Sequence, residues 1–153
     1  MTTLIECIPN ISEGRRPEVV EAVRKAAVGA GPGVLLLDWT SDADHNRSVL
    51  TFLGDGPGLL RGMEAMVDEA LRQIDLTKHE GAHPRLGAVD VVPFVPIRGA
   101  TTADCVALAK ELGARLASKH GLPIYLYEDA ATSEARRNLA TIRKGEFEGL
   151  AEK

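Results

Sequence analysis

Two apolar runs of strand length, residues 33–39 and 47–53, are separated by a short polar stretch centred on Asp42, Ala43 and Asp44. This spacing constrains the fold more than any other feature. So short a connection cannot carry a crossover, and it joins neighbouring strands as an antiparallel hairpin. The first run, Gly-Val-Leu-Leu-Leu-Asp-Trp, is almost continuously apolar and reads as a strand buried on both faces. The second alternates apolar and polar residues, as a strand with one solvated face does.

Each side of the hairpin carries a strand and a helix. Upstream, residues 4–9 form an apolar run ending in a Pro-Asn turn signal. Pro17 can then open a helix on which Val19, Val20, Val23, Ala26 and Ala27 recur at helical spacing until the glycines at 29–33. Downstream, the glycine-rich residues 54–58 break the hairpin. A helix follows, with Leu59, Leu60, Met63, Met66, Val67, Ala70, Leu71 and Ile74 on one face. Residues 88–97 are strand-like again, with Pro93 and Pro96 confining them to an edge or a bulged course.

The order strand, helix, strand, strand, helix, strand is the split βαβ pattern of ferredoxin-like domains. A further helix over about 102–120, capped by Thr101 or Thr102, a short strand at 123–127 and a polar helical tail capped by Ser133 complete the chain. The expected fold is thus one α+β domain, ferredoxin-like, with a mixed sheet covered by helices plus an extra C-terminal helix and short strand.

Composition removes several classes of function. The 153 residues suit one domain, and 44% apolar with 26% charged residues is a globular composition. A net charge of −4, with no basic block, gives no nucleic-acid signature. Arg136, Arg137, Arg143 and Lys144 stand among Glu134, Glu146 and Glu148 and read as a solvated face. No apolar run approaches the roughly 18–20 residues that cross a bilayer, and the expected location is cytoplasmic. Cys7 and Cys105 stand apart in apolar settings, as buried free thiols do.

Three polar segments hold the residues suited to chemistry. The densest is 78–90, Lys-His-Glu-Gly-Ala-His-Pro-Arg-Leu-Gly-Ala-Val-Asp. His83 can exchange a proton near neutral pH. Pro84 restrains it towards extended geometry, and Arg85 offers a planar fork for a carboxylate. Residue type alone equally allows His83 to fasten a loop. His79 and His83, with His45, also raise a metal reading. Helical spacing would be needed for it, and Gly81 and Pro84 oppose a helix there. The second segment is 42–47, where Asn46 and Arg47 could present donors to an anion or simply form a turn. The third, 9–14, leads through Asn10 and Ser12 into a helix N-terminus suited to an anionic group or to ordinary capping. The glycines at 29–33 follow a helix, and those at 54–58 lack a Lys-Ser/Thr pair, so neither is a phosphate-binding fingerprint.

Taken in order, Glu6-Cys7-Ile8-Pro9-Asn10-Ile11-Ser12-Glu13-Gly14, His45-Asn46-Arg47-Ser48-Val49, His83-Pro84-Arg85, Val92-Pro93-Phe94-Val95-Pro96-Ile97 and Leu126-Tyr127-Glu128-Asp129-Ala130-Ala131 resemble the glutamate formiminotransferase family. The resemblance covers the whole chain and points to the amino-terminal subdomain, over residues 1–153, with the second subdomain absent. It implies transfer of a formimino group from N-formimino-L-glutamate to tetrahydrofolate, a step of histidine degradation, with the folate as co-substrate and no metal.

The resemblance makes His83 the catalytic residue. Asn10, Asn46, Arg47 and Arg85 then become supports for the glutamate carboxylates or the pterin. It also implies a second subdomain, or a homo-oligomer, as partner. The apolar strand with Pro93 and Pro96 would be the contact surface. The alternative is a non-catalytic folate-binding or subunit-pairing module that keeps the fold. Thr40 stands where some relatives carry an acid, a place that Asp38 or Asp42 would have to fill.

Overall fold

A computed structural model describes residues 3–82 and 85–150. The first strand is interrupted: β1 (Leu4–Cys7) and β2 (Asn10–Ile11) are two halves of one course, broken at Ile8 and Pro9. Helix α1 (Pro17–Gly29) follows, with its proline in the first turn as expected. Strands β3 (Val34–Asp42) and β4 (Arg47–Gly54) form the hairpin, paired antiparallel along their length from Val34 opposite Gly54 to Asp42 opposite Arg47. Helix α2 (Gly56–Gln73) starts at Asp55, whose carboxylate accepts the Gly58 amide.

Strands β5 (Val89–Val91) and β6 (Phe94–Arg98) are again two halves of one course, broken at Val92 and Pro93. Helix α3 (Thr102–His120) opens on a reciprocal capping box between Thr101 and Asp104 and closes on Gly121 in the left-handed conformation.

The sheet runs from β3 through β4 to the β1/β2 course and then to the β5/β6 course. Every pairing among the described residues is antiparallel, so the sheet is not the mixed one expected. Each strand meets a neighbour that runs the other way, because the split strand order never sets two parallel strands side by side. Where the ladders break, single bonds carry them on: the Leu50 amide donates to the Pro9 carbonyl, and the Ile8 amide to the Pro93 carbonyl.

Strand alternation sends Ile5, Cys7, Ile11, Leu50 and Phe52 into one face, where they are buried. Against that face pack Val19, Val20, Val23 and Ala27 of α1, Leu59, Met63, Met66 and Ala70 of α2, and Cys105, Leu108, Leu112 and Leu116 of α3. Burying each large side chain contributes about 1.5–3 kcal/mol, and this shared layer fixes the sheet's register. Both cysteines are buried free thiols, as their settings indicated. Burial pushes the Cys7 thiol well up, and the nearby Cys105 adds to that shift.

Three further expectations are corrected. Residues 33–39 are not buried on both faces: among the described residues β3 pairs with β4 alone, and Leu35, Leu37 and Trp39 are 58%, 56% and 45% exposed. An irregularity between Leu36 and Asp38 shifts the register, and Trp39 lies under the Arg24 guanidinium of α1 at 4.5 Å. Residues 123–127 form no strand. Ile124 instead packs on α3, its Cγ2 2.9 Å from where a methyl on Gly113 would stand, and Tyr125 stacks with Arg136 at 4.6 Å.

The tail is not one helix. It comprises single turns at Glu128–Ala130 and Glu134–Arg136 and the short helix α4 (Leu139–Arg143). Ser133 precedes the second turn without a side-chain capping bond, whereas Asn138 caps α4 through two amides. No helix among the described residues is long and apolar enough to cross a membrane.

Phe52 lies fully buried at the centre of this layer. Its replacement by alanine is expected to lower stability by about 3–5 kcal/mol, seen as a lower denaturant midpoint at unchanged slope. A loss below about 1 kcal/mol would contradict this placement of the core.

Candidate functional site

The three polar segments meet at one end of the sheet. Ile11 pairs with Ser48 on one side and Val89 on the other, which brings the exit of β2, the β3–β4 turn and the approach to β5 side by side. Asn46 joins them. Its Oδ1 accepts the Gly14 amide at 2.9 Å, its Nδ2 donates to the Glu80 carbonyl at 3.0 Å, and its own carbonyl meets His79 Nε2 at 3.0 Å. It is buried and holds φ at 52°, a left-handed conformation that asparagine tolerates better than most residues.

Shape reinforces these bonds. A methyl on Gly14 would overlap the Asp42 carbonyl and the Arg47 backbone, and one on Gly81 would overlap the His45 carbonyl. Both glycines are needed for the loops to close on the turn. Further bonds complete the seam. Ser48 Oγ donates to the Glu13 carbonyl at 2.5 Å, Ser12 Oγ to the Gly87 carbonyl at 2.7 Å, and the Ala82 amide to the Asp44 carbonyl at 3.0 Å.

His79 is held in one tautomer. Arg85 Nε donates to its Nδ1 at 3.0 Å, so Nδ1 carries the lone pair and Nε2 carries the proton given to Asn46. Both ring nitrogens are therefore engaged, which leaves His79 no lone pair for a metal ion. Among the described residues no three potential ligands cluster.

Arg85 is buried, and every N–H of its fork has an acceptor. Nη1 and Nη2 donate to the two Glu148 oxygens at 2.8 and 2.7 Å, Nη1 also to Glu146 at 3.1 Å, and Nη2 to the His79 carbonyl at 3.4 Å. The Arg85 guanidinium, then the backbone amide of Glu148 itself, hold the Glu148 carboxyl down at about 2 from an ordinary 4.5. A depressed folded value means that this ion pair contributes in full above about pH 4.5 and is lost as pH falls towards about 2.

Asn10 and Arg47 form a separate pair. Arg47 Nη1 donates to Asn10 Oδ1 at 3.2 Å, and strand alternation sets both on the sheet face opposite the helices, with Val49 opposite Asn10. Thus Arg47 and Asn46, adjacent in sequence, serve different faces. Asp42 is taken up by the turn, accepting the Asp44 and His45 amides and pairing with His45 Nδ1 at 2.9 Å. Those bonds from His45 hold its carboxyl below the usual range. Asp38 is exposed, opposite Thr51.

The sequence suggested that the N-terminus of α1 could take an anion. The chain supplies that anion itself: the buried Glu13 carboxylate accepts the Arg15 and Arg16 amides, each at 3.0 Å, and pairs with Arg16 Nε at 2.7 Å. Asp90 is another residue whose role sequence reasoning missed. Its carboxylate, 3% exposed, accepts the Leu86 amide and binds Arg143 Nε at 2.9 Å. An acid inside the apolar run Val89-Asp90-Val91 was the signal, because a buried charge requires a partner.

His83 lies outside the described residues, as does Pro84. The residues that flank this pair, Ala82 and Arg85, are anchored by the bonds above. Helix-side packing leaves a separate cavity of about 990 Å³ between α3, β5/β6 and the tail, lined by Phe94, Cys105, Leu112, Tyr127 and Phe147. Burial there pushes the Tyr127 hydroxyl up to about 12.

Residues 4–153 match the family model described as the formiminotransferase domain, N-terminal subdomain. The chain is 49% identical over 153 residues to the glutamate formimidoyltransferase of Streptococcus pyogenes serotype M1, covering all of this chain and 51% of that protein. It is 44% identical over 153 residues to the formimidoyltransferase-cyclodeaminase of Sus scrofa, covering 28% of it. It is 42% identical over 146 residues to the glutamate formimidoyltransferase of Thermoplasma acidophilum, covering 95% of this chain and 48% of that protein. The chain thus spans about half the length of the single-function relatives or less.

Asn46→Ala removes two side-chain bonds and leaves the Gly14 amide and the Glu80 carbonyl unpaired. The expected cost is about 1–3 kcal/mol, with faster hydrogen exchange at the Gly14 amide and across residues 79–82. Exchange unchanged at both places would show that the seam does not depend on Asn46.

Proposed function

The chain belongs to the family of the formiminotransferase N-terminal subdomain, and from that premise we propose that it forms the catalytic-histidine half of a glutamate formimidoyltransferase. The reaction moves a formimino group from N-formimino-L-glutamate to tetrahydrofolate, the folate being a co-substrate. The observation that carries the reading is the seam at Asn46, which gathers the three polar segments and anchors both neighbours of the His83-Pro84 pair.

In this reading N5 of the folate attacks the amidine carbon, and a tetrahedral intermediate forms. The C–N bond to glutamate then breaks. One proton leaves N5 and one reaches the departing glutamate nitrogen, so a single imidazole, that of His83, takes up the first and delivers the second. Asn10 and Arg47 offer donors on the helix-free face for a carboxylate or the pterin, Asn46 positions the histidine loop, and Arg85 is a further carboxylate ligand. No metal enters the reaction.

The strand order, with both helices of the βαββαβ core on one face, supports the ferredoxin-like reading. The opposite face supports a pairing role. It carries Leu35 and, on the β6 edge, Val95 at 41% exposure, on the same face as the Asn10–Arg47 pair but further along the strands. A second subdomain or a second copy of the chain would cover it, so the substrates would be held between two sheets. A soluble, cytoplasmic location fits these small-molecule substrates.

The test is formimino transfer from formiminoglutamate to tetrahydrofolate, by the chain alone and joined to the second subdomain of a relative. His83→Ala is expected to lower kcat by about 10²–10⁴-fold with the thermal transition retained. Turnover that survives the substitution would remove His83 from the mechanism. Folate binding without turnover in either assembly would favour the non-catalytic module.

A further inference from the structure

The tail holds two carboxylates against a guanidinium that the transfer reaction has use for. Arg85 is 6% exposed, whereas its partners Glu146 and Glu148 have side chains 44% and 65% exposed. One cation thus faces two anions, of which only one is needed for neutrality. The bidentate geometry of Glu148, with oxygens 2.8 and 2.7 Å from the two terminal nitrogens, is the geometry in which an arginine takes any free carboxylate. Glu146 adds a third oxygen at 3.1 Å.

The backbone bonds of the segment bearing these acids are made within the tail. The Glu146 amide donates to the Arg143 carbonyl, the Gly149 amide to the Gly145 carbonyl, and the Leu150 amide to the Phe147 carbonyl. Gly145 and Glu146 both hold positive φ, 87° and 53°, at the point where the chain leaves α4. Upstream of that point α4 is firmly tied, because Arg143 binds the buried Asp90. Beyond it, Phe147 packs against the core and, with Leu150, lines the 990 Å³ cavity, so lifting the segment gives up that apolar contact along with the ion pairs. A fixed hinge is followed by a short flap seated on two attachments, the Phe147 ring on the core and the carboxylates on Arg85.

We propose that Glu146 and Glu148 form an internal carboxylate latch on Arg85, and that a glutamate-type dicarboxylate competes with the latch for that guanidinium. The inference rests on the formimino-transfer reading for its ligand class, since donor substrate and product both carry a glutamate skeleton. Arg85 also holds His79 Nδ1, so exchange of one carboxylate for another on its terminal nitrogens leaves Nε on the histidine and the loop in register. The latch keeps the arginine's charge satisfied when no ligand is bound, and it makes ligand binding contingent on release of the tail. Because the competent state is only a fraction of the population, the apparent affinity is lowered by that fraction.

Calorimetry with glutarate and L-glutamate on the full chain tests this. Glu146→Gln/Glu148→Gln is expected to bind glutarate about tenfold or more tightly than the unmodified chain, and Glu148→Gln alone by an intermediate factor. Adding Arg85→Met to the double variant is expected to abolish the gain. In the unmodified chain, saturating glutarate is expected to quicken hydrogen exchange at residues 145–150. Equal affinity in the double variant, with or without a lower melting temperature, would overturn the latch and leave the acids a structural role. A gain that persists after Arg85→Met would overturn it too. These readouts do not involve turnover, so failure here leaves the role of His83 standing, and loss of the His83 reading leaves the competition at Arg85 measurable.

Discussion

The side chain of Asn46 is the interaction on which the candidate site depends. Three segments far apart in sequence must lie within hydrogen-bond reach at one end of the sheet, and each would bring unpaired backbone groups into a half-buried seam. One amide side chain, with an acceptor and a donor on a short stem, satisfies the Gly14 amide and the Glu80 carbonyl together. The same residue's carbonyl accepts a hydrogen bond from His79 Nε2, and the other ring nitrogen is set by Arg85. Asparagine suits the position twice, because its backbone is left-handed there and its amide is both donor and acceptor. Aspartate would lack the donor, and glycine would lack both groups.

Charge is arranged on the same plan. The 79–90 segment carries two groups that are almost fully buried, Arg85 and Asp90, and each is answered from the tail: Arg85 by Glu146 and Glu148, Asp90 by Arg143. Breaking either connection would strand a charge in a place of low exposure, a costlier event than loss of a surface pair. The two connections differ in how they can be undone. Asp90 is buried beneath a partly exposed Arg143, whereas the acids on Arg85 face solvent and are exchangeable for other carboxylates. The tail is thus tied at one point and releasable at the next.

Much of the fold was legible because it follows from periodicity. The hairpin, the three long helices and the broken edge course at Pro93 appear where hydrophobic spacing and proline chemistry put them. The errors share one cause, which is that periodicity reports apolarity and not position in the sheet. Leu35, Leu37 and Trp39 look like a central strand, yet β3 is an edge whose outward leucines belong to an uncovered face. Residues 123–127 look like a strand, but their side chains are engaged by α3 and Arg136. At the site, the three polar segments could be named from residue type, but not the division of labour among them. Adjacent Asn46 and Arg47 point to opposite faces, and the anion at the α1 N-terminus is Glu13. Nothing local in the sequence announces that Arg85 finds its partners some sixty residues later, at Glu146 and Glu148.

In the proposed reaction the Asn46 seam positions the histidine loop for proton transfer. A double-mutant cycle on formimino transfer tests it most directly, with His83→Ala, Asn46→Ala and the double variant compared in the assembly that supports turnover. If the seam acts through His83, Asn46→Ala lowers kcat in the parent but adds almost nothing once His83 is gone. Losses that multiply independently would uncouple the seam from His83 and make Asn46 a residue of stability or substrate binding alone.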